Sequence, residues 1–136
     1  MSINRTVVLL LTCSVILLTS CTMAPILNLN NEILPTDPNG STHTQDDVQK
    51  AILRACNDRG WSAQVENEGV IQASIIVRRH SAKVKIQYTN STVSISYVDS
   101  TELKYKGDRI HRNYNRWVAN LYHSIQTELG SHGQAF

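Results

Sequence analysis

A decisive excess of either charge is missing from this chain: 13 Lys and Arg stand against 11 Asp and Glu over 136 residues. That balance excludes a general nucleic-acid binder, which would show a strong basic surplus, so no nucleic acid is expected as a partner. Also missing is any apolar run of the ~20 residues that a helix needs to cross a bilayer. No two histidines stand four apart around a Glu, and no Gly-x-Ser-x-Gly elbow occurs. These absences remove the zinc-hydrolase helix and the nucleophile elbow of an α/β hydrolase. Three cysteines are too few for a disulfide framework, so a single apolar core has to hold so short a chain together.

What is present begins at the N-terminus. One basic residue, Arg5, precedes an apolar run from Val7 to Leu18, and Leu18-Thr19-Ser20-Cys21 closes it. The order is that of a secretion leader, but it ends in a cysteine with a small residue before it. We read the four residues as a lipobox. Residues 1–20 are then a lipoprotein signal peptide, and Cys21 is the lipidation site, diacylglyceryl on its thiol and an acyl chain such as palmitate on the new amine. Cys13 is not an equivalent site, because Leu10-Leu11-Thr12 place no Gly, Ala or Ser directly before it. Membrane contact through the N-terminal lipid is the first partner expected.

Loss of the leader removes Arg5 and Cys13 and leaves 12 basic against 11 acidic side chains. Only Cys56 then remains as a free thiol, and no disulfide can form within one chain. Residues 21–43 follow as the lipidated cysteine and a flexible tether, since Pro25, Pro35, Pro38, Gly40 and several asparagines break any sustained period. A free segment of that length spans about 25 Å root-mean-square. Ile26, Leu27, Leu29, Ile33 and Leu34 sit awkwardly in a tether and leave three alternatives open: lipid, a partner, or the chain's own domain.

Periodicity starts at Thr44. Thr44 and Asp47 form a capping-box pair, and Val48, Ala51, Ile52, Ala55 and Cys56 make a helical stripe that Gly60 stops. From Trp61 onward the period changes to two. Trp61, Ala63 and Val65, then Ile71, Ala73, Ile75 and Val77, then Ala82, Val84, Ile86 and Tyr88, then Val93, Ile95 and Tyr97 each line one face of a strand, with turns at Asn67-Glu68-Gly69, near His80-Ser81, and at Asn90-Ser91. A last helix is expected from about Asp108 with Ile110, Tyr114, Trp117, Val118, Leu121 and Ile125 on one stripe, ending near Leu129-Gly130. The fold class is therefore α+β: a two-layer sandwich of helix, four-stranded antiparallel meander and helix, with both helices on one sheet face. Its domain spans 44–129, with Trp61 and Trp117 as its largest core pieces, and 130–136 form a tail.

Candidate chemistry is sparse. His43, His80, His111, His123 and His132 are scattered, and His111 and His123 would be about 18 Å apart along one helix, so no metal site and no cofactor is expected. Cys56 lies on the apolar stripe, where burial raises a thiol pKa and leaves it inert. Glu66, Glu68, Asp99 and Glu102 fall at turns and strand ends instead of converging as a glycosidase pair would. No catalytic residue is assigned. The wet face of the sheet offers Arg78, Arg79, Lys83 and Lys85, and the expected register sets Arg78 opposite Lys83; like charges so placed favour an anionic neighbour. These four, with Arg112 and Arg116 on the outer side of the last helix, are the candidate contact residues for an envelope protein or anionic lipid.

Arg59-Gly60-Trp61, Tyr97-Val98-Asp99-Ser100 and the run Ile110-His111-Arg112-Asn113-Tyr114-Asn115-Arg116-Trp117-Val118 resemble a group of small proteobacterial lipoproteins over roughly Asp46 to Ile125. The resemblance implies an outer-membrane lipoprotein and carries over no catalytic or ligand residue, although His111, Asn115 and Trp117 stand out within the pattern; the domain is expected to face the periplasm. Thr22 after the lipid cysteine, where an Asp would retain the protein inside, resembles lipoproteins sorted outward. The functional expectation is a lipid-anchored envelope accessory or binding module without catalysis. A subunit of a larger secretion or transport assembly is the first alternative and an envelope enzyme the second.

Overall fold

The computed structural model describes residues 22–131. The leader, Cys21 and the last residues of the tail lie outside the described residues. Nine elements follow in order: β1 (Met23–Pro25), β2 (Leu29–Ile33), α1 (Gln45–Asp58), β3 (Ser62–Asn67), β4 (Val70–Val77), β5 (His80–Tyr88), β6 (Thr92–Thr101), β7 (Arg109–His111) and α2 (Arg112–Ser131). The architecture is α+β, with two antiparallel sheets: five strands in the order β2-β6-β5-β4-β3, and a separate pair β1-β7.

The capping box forms as its sequence requires. The Thr44 hydroxyl accepts from the Asp47 backbone N–H at 3.1 Å, and the Asp47 carboxylate accepts from the Thr44 N–H at 3.1 Å. The Thr44 hydroxyl also donates to the Asp47 carboxylate at 2.6 Å, and that bond first, with the bond from the Thr44 backbone N–H second, holds the Asp47 carboxyl below its ordinary value. All five stripe residues of α1 are buried, and beyond the helix Gly60 takes φ +77° as a C-terminal glycine should.

Period-two alternation sets most of the sheet. Val65 pairs with Ile71, and Tyr88, Ile86 and Val84 face Val93, Ile95 and Tyr97 as expected. Gly69, at φ +76°, closes the first hairpin, where an added Cβ would come within 3.1 Å of the Tyr88 carbonyl. The second hairpin differs from expectation. Val77 pairs with His80, so the turn is Arg78-Arg79, with Arg78 held left-handed at φ +58°. Arginine is not a usual residue for that conformation, which is why the softer His80-Ser81 looked like the turn. The pairing slides by four residues, an even number, so each side chain keeps its face while its cross-strand neighbour changes.

Four strands were expected and the sheet has five. Left alone, β6 would expose a ladder of unpaired backbone groups; β2 covers it, with Leu29 opposite Ile95 and Glu32 opposite Val93 around a bulge at Asn31, φ +51°. The expected tether is therefore corrected from Thr22 to Leu34: these residues are built into the fold. Leu34 is buried, and its N–H donates to the Ser91 carbonyl at 2.8 Å. Of the three alternatives for the apolar residues there, Leu29 and Leu34 take the chain's own domain.

The last helix starts at Arg112, later than Asp108, because Ile110 and His111 are spent on β7. Its buried stripe is Tyr114, Val118, Leu121, Ile125 and Leu129, and Tyr114 is the largest fully buried side chain. Trp117, expected in the core, is only half-buried and packs against it; Trp61 is buried. Arg54 pairs with Glu128 at 2.7 Å and Arg59 donates to Ser124 at 2.6 Å, so the two helices run antiparallel. Buried residues of both helices, the inward strand positions, Leu34 and Leu103 form one core cluster.

Candidate functional site

Chemistry of the acid, base or nucleophile kind is dispersed in this fold. Cys56 is buried and desolvation pushes its thiol up to about 12, where the thiolate is absent at neutral pH. No group of three His, Cys, Asp or Glu among the described residues is placed to hold a metal ion. His111 is occupied structurally: its Nδ1 accepts from the Asn113 backbone N–H at 3.2 Å at the start of α2. Burial, and then the nearby His80, Lys104 and Arg112, lower its pKa.

The basic candidates do not form one patch. Arg78 and Arg79 are the tip of the β4–β5 hairpin. Lys83 faces Ser74 on one side and Asp99 on the other, and Lys85 faces Gln72 and Ser96. The expected opposition of Arg78 and Lys83 is thus absent, and the two lysines stand on a sheet face made mostly of serines and glutamines. Arg112 opens α2 and Arg116 lies exposed one turn on. The fold brings Arg78, Arg79 and Arg112 to one end of the molecule and leaves Lys83, Lys85 and Arg116 away from it.

That end was not recognised in the sequence. Ser81 pairs with Thr101, which sets the Arg78-Arg79 tip beside the connection from β6 to β7. The connection carries Lys104, Tyr105 and Lys106, all exposed, and leads into exposed Arg109. It is a formed structure. Leu103 is buried beneath it, Lys106 and Arg109 exchange backbone hydrogen bonds at 2.9 and 3.1 Å, and Glu102 and Lys104 both hold positive φ. Tyr105 stacks on Tyr97 with centroids 4.3 Å apart. The one signal available was the spacing Lys104, Lys106, Arg109, masked by Glu102 and Asp108 in the same stretch.

At the opposite end the sign reverses. Glu68 in the β3–β4 turn and Asp46 at the start of α1, which also pairs with Lys50 at 2.5 Å, lie near Tyr88, and Glu32 on β2 sits opposite Val93. Burial raises the Tyr88 hydroxyl, partly offset by a hydrogen bond from Gly69, and the charges of Glu68 and Asp46 raise it further. A polar cleft of ≈ 380 Å³ lies here, lined by Asn31, Gln45, Glu68, Gln87, Tyr88 and Ser94 among others. The chain is electrically polar along its strands although its net charge is small.

Residues 22–34 form a strap along the domain. The Arg112 N–H donates to the Thr22 carbonyl at 2.9 Å, and Arg109 Nη2 donates to the Met23 carbonyl at 3.1 Å. Asn115 uses both halves of its amide, donating to the Pro25 carbonyl at 2.8 Å and accepting from the Leu27 N–H at 2.9 Å. Asn28 accepts from the Tyr97 N–H at 3.0 Å. Of the residues that stood out in the helix-opening run, His111 caps and Asn115 clamps.

Compared with protein-family models, curated proteins and solved structures, the chain matches none.

Proposed function

We propose that this protein is a lipid-anchored accessory or binding module of a Gram-negative envelope, held on the outer membrane by lipidated Cys21, facing the periplasm and working without catalysis. The observation that carries the proposal is Leu18-Thr19-Ser20-Cys21 closing the apolar run behind Arg5. Thr22 in the sorting position supports it. The scatter of carboxylates and histidines and the burial of Cys56 favour binding over catalysis. For the finer layout we propose two layers, both helices on the inward face of the sheet, supported by the single core cluster that both helices share with the inward strand positions.

Growth with an alkyne analogue of palmitate tests the proposal. The parent chain should take up the label and fractionate with membranes, and Cys21→Ser should take up none. An unlabelled parent chain would overturn it.

A second reading, a subunit of a larger envelope assembly, is favoured by the outer sheet face, where Ile76 is 76% exposed. Stoichiometric co-purification of a second protein from mild detergent, lost on Ile76→Lys, would select it.

A further inference from the structure

We propose that the basic end of the domain is a membrane-docking surface, seated on the anionic phosphates of the bilayer that holds the lipid. The inference rests on the reading of Cys21 as the lipid-bearing residue. Two observations that do not depend on each other coincide at this end. The first is where the anchor emerges. Thr22 is tied through its carbonyl to the first residue of α2 and Met23 to Arg109, and a single peptide unit, about 3.8 Å between Cα atoms, separates Thr22 from Cys21. The second is charge. Arg78, Arg79, Lys104, Lys106 and Arg109 lie at this end and outnumber Glu102 and Asp108 in the same connection, and Lys104, Lys106, Arg78 and Arg79 enter no ion pair among the described residues.

Magnitudes decide whether the coincidence matters. Electrostatic attraction to lipid phosphates fades over a Debye length of about 8 Å at physiological salt. A free tether of about 25 Å would let the domain drift beyond that range and turn any side to the membrane. The strap removes this slack, so the Lys104 to Arg109 connection is held where the attraction acts. Tyr105, 45% exposed between two lysines and backed by Tyr97, is the kind of side chain that settles at the headgroup level. The acidic end, with Glu68 and Glu32, is then directed away from the phosphates, which repel it. The acyl chains on Cys21 suffice to hold the protein in the bilayer; the basic surface sets which side of the domain faces the phosphates.

The test uses the mature lipidated chain, its acylation checked by intact mass, in phosphatidylcholine vesicles with or without phosphatidylglycerol. Cys56 is buried, so a fluorophore can be attached selectively to Tyr105→Cys or Glu68→Cys and its quenching by nitroxide-headgroup lipid measured. With phosphatidylglycerol present, the label at position 105 should be quenched several-fold more than that at 68. The combined change Arg79→Gln, Lys104→Gln and Lys106→Gln should bring the two close to equal while the chain stays on the vesicles. Unlipidated Cys21→Ser chain, with its leader removed, should bind such vesicles about 5-fold more weakly for each of these charges removed. Equal quenching of the two labels in the parent, or an undiminished difference without phosphatidylglycerol, would overturn the docking surface. A chain of unacylated mass would instead overturn the reading of Cys21, and the vesicle binding of the unlipidated chain would then decide the surface by itself.

Discussion

Strands β5 and β2 both pair with β6, one on each side, yet different forces hold them. Along β5, Ala82, Val84, Ile86 and Tyr88 are buried in strict alternation with exposed Lys83, Lys85 and Gln87. Along β2 nothing is fully buried, a bulge interrupts the register, and the Asn31 N–H is taken by the Ser94 hydroxyl at 2.8 Å. Burial of apolar area holds β5; backbone pairing and asparagine amides hold β2, helped by Leu34 just beyond it. The difference teaches that a segment without hydrophobic period can still belong to a fold, when a neighbouring strand would otherwise be left with an open edge.

The largest expected effect breaks the β5 side. Ile86→Ala should cost about 2–5 kcal/mol and lower stability throughout the domain, read as a shifted midpoint in urea. Asn115→Ala should cost about 1–3 kcal/mol, since two hydrogen bonds are lost and strap groups are left unpaired. Its damage should stay local: hydrogen exchange should quicken at Leu27 and its neighbours while β5 amides hold. Equal loss on both sides would mean that strap and meander unfold as one unit. Tyr114→Phe sharpens the seam between them. The Tyr114 hydroxyl is buried with no partner among the described residues, below Tyr97 at 5.6 Å, so its removal should leave stability unchanged or raise it by up to about 1 kcal/mol; a clear drop in the melting temperature would show that the hydroxyl has a partner.

The smallest effect is one of pH. His111 has a folded-state pKa lowered from 6.5, by burial first, and its Nδ1 must stay unprotonated to accept from Asn113. The unfolded chain therefore binds the proton more readily, and stability rises with pH where it does so. The contribution is fully present above about 6.5 and is lost as pH falls through that value toward the lower folded one. Melting temperature should fall more between neutral pH and about pH 5 in the parent than in His111→Asn, which keeps a capping acceptor. An equal fall would place the titration elsewhere.

How far the sequence could be read follows the same division. Thr44 with Asp47, Val65 against Ile71 and Ile86 against Ile95 were readable because capping boxes and period-two alternation are local patterns with few alternatives. Arg78 hid the second hairpin, since its left-handed backbone is imposed by strand pairing and not by the residue. Ile110 kept period with the α2 stripe, yet β1 recruits it and His111 into β7. Leu29–Ile33 has no alternation because its bulge at Asn31 breaks the parity. The basic end was unreadable for a further reason: the Arg78-Arg79 pair lies far along the chain from the Lys104 to Arg109 stretch and meets it only once the hairpin tip, the β6–β7 connection and the strap are folded.

Hydrogen exchange on the full mature chain in its lipidated form tests the central claim most directly, that the residues after Cys21 are built into the domain with no slack. The amides of Leu27, Leu34 and Arg112 all donate to partners in the strap contacts. They should exchange far more slowly than in an unstructured peptide, though faster than β5 amides. Exchange at free-peptide rates for Leu27 and Arg112 would restore the flexible tether and contradict the account.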